Sequence, residues 1–280
     1  MTAVARTDVP RRRAGPGPLA SAWSRVWRAR RLVERNILVY RHQWIIIVSG
    51  AFEPIFYLVG LGLGLGAIIE TVPLADGRSV PYAAYVAPAL VATAAMNGAV
   101  FETIFNVFFK LNYNKTYDGV LATPMGITEI AIGEMLWALM RSTLYAVAMF
   151  LIMLAMGLVL SPLGILMIPA ALLVAAAFAG AGLAGTSYLR TVNDFDIPLG
   201  LIVMPMFLFS GTFFPIENVL PGWLVTIITF TPLYHGIELI RGLSTGILGL
   251  EHLVSLGYLV VFFAICMWIA MRQMGRKLIK

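Results

Sequence analysis

The chain has 280 residues, of which 60% are hydrophobic and 12% charged, with a formal net charge of +6. A soluble domain carries about a quarter charged residues, so this composition excludes a water-soluble enzyme or binding module and requires side chains that face hydrocarbon or one another. At about 20 residues per spanning helix, the length holds roughly five to seven crossings and no large soluble domain.

Residues 1–20 are rich in Pro, Gly and Arg and read as a disordered basic tail. From Ser21 to Arg41, Trp23, Val26, Trp27, Val33, Ile37 and Tyr40 fall on one face at helical spacing. Arg25, Arg28, Arg31 and Arg35 fall on the other, and Arg30 interrupts the apolar stripe, where it would have to snorkel. The pattern predicts an amphipathic helix over 21–43, lying in the headgroup plane. Ten arginines precede residue 44. Because a membrane span follows them, they point to topology control and anionic lipid rather than nucleic acid. A cleavable signal peptide is not expected, since the first apolar run starts near Trp44 and is too long. Nor do Arg11–Arg13 open a twin-arginine signal, because Ala-Gly-Pro-Gly-Pro follows instead of an apolar core.

Span one is expected over 44–69, followed by a turn segment with Pro73, Asp76-Gly77 and Pro81. Span two covers 83–108. In the polar interval 109–129, Thr123 as a cap with Pro124 in the first turn predicts a short surface helix. Span three covers 130–160, span four 163–189, span five 197–214 and the last span 254–271. Residues 223–240 are apolar enough for another crossing but contain Pro232, His235 and Glu238. Charge parity decides between the two readings. With six crossings, the inner segments hold the ten early arginines, Lys110, Lys115, Arg190 and four C-terminal cations, leaving outside only Arg78 and Arg241. Seven crossings would send the basic C-terminus outward, against the positive-inside rule. The expected fold is therefore an all-α polytopic protein of a bacterial inner membrane. Its six-span domain runs over 44–272, the segment before span six forms outer, partly re-entrant helices, and a basic tail covers 273–280, with both termini cytoplasmic.

Gly60, Gly62, Gly64 and Gly66 form overlapping GxxxG patterns, and Gly180, Gly182 and Gly185 form a second small-residue stripe, both read as helix-packing faces. Glu53 and Glu102 are intramembrane carboxylates, which are costly and therefore candidate functional groups. Glu53 precedes Pro54 and is placed at the inner end of span one, bonding backbone that the proline frees. Glu102, beside Asn97 and Asn106, is placed either in a structural hydrogen bond or against a substrate head group. His42, His235 and His252 are scattered and Cys266 stands alone, so neither a metal site nor a disulfide is expected. No GxxxxGK[ST] sequence surrounds Lys110, Lys115, Lys277 or Lys280. The chain is not expected to be an enzyme by itself, and its driving energy must come from another chain or an ion gradient.

Two segments fit neither a lipid-facing helix nor an ordinary loop. One is Lys115 to Glu129, containing Leu121-Ala-Thr-Pro124; the other is Ser210-Gly-Thr-Phe-Phe-Pro215, then Leu220-Pro-Gly-Trp223 and Thr231-Pro-Leu-Tyr-His-Gly-Ile-Glu-Leu-Ile-Arg241. Together they resemble the ABC-2 family of transporter permeases, over about residues 25–276. Phe101-Glu102 and the run Tyr57 to Gly66 look most similar to the subgroup that exports nodulation lipo-oligosaccharides, with daunorubicin-type drug permeases next.

The resemblance implies a half-transporter that pairs with a second permease copy and two cytoplasmic ABC ATPase subunits. ATP-Mg would be bound by those partners, and no cofactor by this chain. It implies a coupling helix over about 115–129 that meets the ATPase through Lys115, Tyr117, Asp118, Leu121, Thr123, Pro124 and Glu129, beside a connecting helix at 21–41. Outer re-entrant helices over about 212–241 would close the exit through Gly211, Phe214, Pro215, Pro221, Pro232, Glu238 and Arg241. Spans two and five would line the path with Met96, Asn97, Phe101, Glu102, Phe105, Met204 and Phe207. A wall rich in Met and Phe and poor in charge suits an amphipathic substrate, such as a glycolipid, a lipo-oligosaccharide, a polysaccharide precursor or an apolar drug. The rival is a gradient-driven carrier, which predicts inverted repeats; the sequence shows no convincing one.

Overall fold

A computed structural model of the chain describes residues 18–41, 44–74 and 76–278, almost all of them helical. The basic tail expected at the N-terminus lies outside the described residues up to position 17, but helix α1 (Pro18–Tyr40) begins inside the stretch expected to be disordered. Proline is favourable in the first turn of a helix, where its missing N–H has no partner to lose.

Among the described residues, six helical segments are long and apolar enough to cross a membrane: Phe52–Ile69, Tyr82–Asn112, Ile127–Ala155, Pro162–Thr186, Val192–Phe209 and Leu250–Leu278. The first lies within α2 (Trp44–Gly64) and α3 (Gly66–Ile69). The second joins α4 (Tyr82–Phe101) to α5 (Val107–Asn112) through a π-helical turn, Glu102–Asn106. A short helix α6 (Thr116–Leu121) leads into α7 (Ile127–Ala155). Span four contains α8 (Met167–Thr186), and span five is π-helical over Ile197–Val203 before α9 (Met204–Phe209). Three shorter helices follow, α10 (Ile216–Val219), α11 (Gly222–Thr229) and α12 (Pro232–Thr245), before the last span, α13 (Leu250–Leu278). The ambiguous segment 223–240 is thus α11 and most of α12, which are bent 84° against each other at residues 230–231. The bend falls at Thr231-Pro232, where the missing proline N–H and the restricted preceding residue end one helix and start another.

Between spans one and two the chain forms a two-stranded antiparallel hairpin, β1 (Thr71–Pro73) and β2 (Ser79–Pro81), where only turns are expected from the sequence. Val72 and Val80 are cross-strand partners and both are buried, and Asp76-Gly77 makes the turn with Gly77 at φ +82.

Span two is the centre of the bundle. It is 89% buried within the chain, against 18% for span one and 17% for span five. Its alanines let α7, α8 and α12 approach closely, and α8 packs along α13. The glycine stripes divide the work. Gly62 and Gly66 face Ala83 and Tyr82 at the start of span two, whereas Gly60 and Gly64 face open space. Of the second stripe, Gly180 lies against Cys266 and Gly182 against Thr103, and Gly185 faces open space. Only two of the four glycines in the first pattern and two of the three in the second therefore pack within this chain. The closest approach to backbone is at Gly98, where an added Cβ would lie 2.8 Å from the Ser142 Cα, an atom that cannot step aside. Gly98→Val is expected to force spans two and three apart and lower stability by about 1–3 kcal/mol, measured as a fall in the melting temperature in detergent.

Helix α1 lies along α7 rather than only on a membrane surface. Its seat is the strip Ala29, Leu32 and Asn36, with Leu32 against Gly133, while Val26, Trp27 and Ile37 of the predicted apolar face are exposed. Val33 and Tyr40 of that face are half-buried, and a narrower strip of smaller side chains meets α7. Arg30 pairs with Glu34 at 2.8 Å.

Candidate functional site

Three ion pairs climb one interhelical seam at the end of the bundle that carries α1 and the end of α13. At the rim, the Arg28 Nη2 donates to Glu129 Oε1 at 2.7 Å, while Glu129 Oε2 accepts from the Gly126 N–H at 3.0 Å and so closes the first turn of α7. One layer in, Lys110 directs its ammonium at both oxygens of Glu134, 2.7 and 3.0 Å away, and at Asn36 Oδ1, 3.2 Å away. All three ammonium donors are thereby used, which is the condition for a buried ion pair to hold. Deeper still, Arg141 donates from Nη1 to Glu102 Oε2 at 2.5 Å and from Nε to Tyr145 Oη at 2.9 Å, and Asn106 donates to the other Glu102 oxygen. Glu102 and Asn106 bound the π-helical turn and bond to each other; such distortions recur at functional positions. Tyr40 of α1 stacks on Trp137 at 5.3 Å. Its phenol is pushed up to about 12, first by burial and then by the charge of Glu102.

Helix α6 hangs from this block. Tyr117 is wholly buried among Leu32, Val107, Ile130 and Met274, and burial followed by the nearby Glu134 charge raises its phenol well above the ordinary range. Lys115, at φ +46, starts the helix, and Thr123 ends it by donating to the Val120 carbonyl at 2.6 Å. The sequence expectation is corrected here. Thr123-Pro124 closes the short helix instead of capping it at its start, because the residue before a proline is held out of the helical region. Asp118, Thr123 and Pro124 are exposed and Leu121 half-buried, but Tyr117 and Glu129 are buried and present no surface. Between α1 and α6 lies a groove of about 460 Å³ rimmed by Arg31, Arg35 and Lys115.

At the opposite end, Arg241 ties three elements together. Its Nη2 donates to the Gly211 carbonyl at 2.6 Å, its Nη1 to Glu238 at 2.9 Å, and its guanidinium lies 4.0 Å from the centre of the Tyr85 ring. Gly211 has φ +77, a conformation open to glycine at little cost. Tyr85 and Tyr82 donate to the carbonyls of Gly211 and Phe213. Of the predicted gate residues, Gly211, Glu238 and Arg241 thus come together, and Pro215 lines the cavity beside them. Pro221 and Pro232 serve to start α11 and α12, and Phe214 is half-buried.

The residues expected along a path divide differently. Met96, Glu102 and Phe207 are buried in the protein's own packing, so Glu102 meets Arg141 and not a surface. Asn97 is half-buried, Phe101 stacks on Phe105, Phe105 packs edge-on against Phe195 at 4.6 Å, and Met204 is exposed. Glu53 does not bond proline-freed backbone. It has no hydrogen-bond or ion partner among the described residues and lines an apolar trough on α2 with Phe52, Phe56 and Gly60.

Sequence reasoning missed the pairings Lys110–Glu134, Glu102–Arg141 and Arg28–Glu129 and the anchor role of Tyr82 and Tyr85. A signal existed for two of them. Glu102, Asn106 and Lys110 recur every four residues on span two, and Glu134, Arg141 and Tyr145 recur at seven and four on span three, two facing polar stripes.

Residues 29–244 match the family described as ABC-2 type transporter. Nodulation protein J of Rhizobium leguminosarum bv. trifolii is 29% identical over 259 residues, covering 92% of this chain and 94% of that protein. The proteins of the same name from Rhizobium meliloti and Sinorhizobium fredii are 30% and 32% identical, over 80% and 78% of this chain and 81% and 79% of their own lengths. A multi-pass bundle of six candidate spans, matched through most of its length, therefore belongs to the ABC-2 type transporter family.

Proposed function

We propose that the chain is the permease half of an ATP-driven exporter, with both termini in the cytoplasm of a bacterium and a separate ABC ATPase docked on α6 and α1. The observation that carries this reading is the way α6 is mounted: a six-residue helix with an exposed outer face, fastened by one buried tyrosine to helices that ion pairs lock together. Such a mount passes a push without absorbing it. The basic rim of Arg31, Arg35 and Lys115 suits an acidic edge on the ATPase. Movement then travels as a rigid-body shift of α1, span two and span three, the kind of displacement by which packed helices switch.

A second permease copy fits against spans one and five, whose faces are uncovered within the chain. Phe52, Phe56 and Val59 on one and Leu201, Ile202 and Met204 on the other are exposed, and Tyr57 on Phe207 joins the two spans. The unpaired Glu53 lies on this face. With two copies together, spans one and five supply an apolar wall carrying one carboxylate from each copy, which suits the acyl chain and polar head of a lipo-oligosaccharide or similar amphipathic molecule. This moves the path wall from span two to span one, because span two is enclosed.

The test is purification of the chain from its native membrane in mild detergent with identification of what accompanies it. The expected result is a Walker-motif ATPase at one-to-one stoichiometry whose ATP turnover falls when Thr123-Pro124 is disrupted. Recovery of the chain without an ATPase under several gentle conditions would favour a gradient-driven carrier instead.

A further inference from the structure

The cavity beside Arg241 has a lining that the contacts described above account for only in part. Its volume is about 330 Å³, at the small end of the range for small-molecule sites. Tyr85, Glu217, Tyr234, Glu238, Arg241 and Glu251 line it. Arg241 is only 8% exposed, and although its Nη atoms are satisfied by Glu238 and Gly211, its buried Nε–H has no acceptor among the described residues. Buried donors are rarely left unpaired in folded proteins, so the position calls for an acceptor from elsewhere. Glu238 already accepts from Arg241, and the exposed Glu217 and Glu251 are acceptors only, open to donors of a ligand in the cavity.

These demands select the chemistry of the ligand. A cation satisfies the carboxylates but sits beside the guanidinium and leaves its Nε–H unmet. An anion meets Arg241 but faces Glu217, Glu238 and Glu251. A neutral polyhydroxylated ring supplies both roles, since each hydroxyl donates to a carboxylate while its lone pairs accept from Arg241. The half-buried ring of Tyr234 offers an apolar surface for the C–H face of such a ring.

We infer that this cavity binds a neutral sugar ring at the end of the bundle opposite α6, as the receiving site for the head group of an exported amphipathic molecule. The inference deepens the export reading and rests on it for how the sugar arrives, but not for the binding chemistry.

The experiment uses the full chain with its ATPase in lipid nanodiscs, titrated with chitotetraose, maltotetraose and the cation spermidine by calorimetry. At least one neutral oligosaccharide is expected to bind, with spermidine failing to displace it. The double variant Glu217→Gln/Glu251→Gln, at exposed positions, is expected to weaken sugar binding about tenfold through loss of charge-assisted hydrogen bonds, while its melting temperature stays within a degree or two of the parent. Tyr234→Ala should weaken it as well. Absence of binding by both sugars, equal affinity in the double variant, or preference for spermidine would each overturn the site. If the sugars fail to bind while the ATPase associates and turns over, this inference falls and the export reading stands. If the sugars bind but no ATPase associates, the reverse holds.

Discussion

Glu134→Ala is expected to lower the stability of the folded chain by about 3–5 kcal/mol, the cost of leaving one partner of a buried ion pair uncompensated. The Lys110 side chain is 7% exposed and that of Glu134 is fully buried, so neither water nor a neighbouring carboxylate steps in when Glu134 is removed. Lys110 then keeps only Asn36 as an acceptor. The pair itself contributes less than this loss implies, because drawing both charges out of water cancels much of their attraction. Lys110→Met/Glu134→Leu is therefore expected to regain most of the lost stability, since two apolar side chains of similar size refill the volume without stranding a charge. Unfolding in mixed detergent micelles, run on both singles and the double, measures the coupling. Singles that each cost under about 1 kcal/mol would mean that water reaches the pair, as at an exposed salt bridge. The double variant carries a functional reading too. If the ion pair locks α1, span two and span three into one lever, an apolar replacement that preserves packing should preserve transport as well.

Tyr117→Ala is expected to separate ATP hydrolysis from transport. Removing a buried aromatic ring leaves a cavity that costs about 3–5 kcal/mol where the surroundings cannot collapse. Here the cost falls on a helix of six residues, too short to persist without its anchor. Residues exposed on and just after α6, Asp118 and Thr123 among them, remain available to a partner, but the push they receive no longer reaches the seam. In a reconstituted complex with its ATPase, the expected outcome is continued ATP turnover with substrate moved per ATP reduced at least several-fold, rescued by Tyr117→Phe because the ring rather than the hydroxyl fills the anchoring site. An unchanged ratio of transport to turnover would remove α6 from the transmission path.

Much of the architecture was legible in the residues. Long apolar runs bounded by charge locate helices because the bilayer leaves no other way to satisfy backbone polar groups. Thr231-Pro232 marks the break that makes α11 and α12 something other than a straight crossing. Glu102 stood out as an intramembrane carboxylate, but its partner Arg141 is 39 residues away, and nothing local assigns one polar stripe to another. Which half of the Gly60 to Gly66 pattern packs also depended on where the start of span two arrives.

What the sequence determined by itself is the class of the molecule: a membrane bundle with no ATP-binding loop and two unusual segments at its opposite ends. Those properties follow from composition, run length and local backbone rules, which act over a few turns. Only the tertiary structure decided that span two is enclosed while spans one and five are open, that Glu102 is paired with Arg141 while Glu53 has no partner among the described residues, and that Arg241 gathers Gly211, Glu238 and Tyr85 beside a cavity. Those outcomes depend on which faces of distant helices meet. Packing of small side chains and the need to pair every buried charge settle that matter, and neither leaves a signature within one stretch of chain.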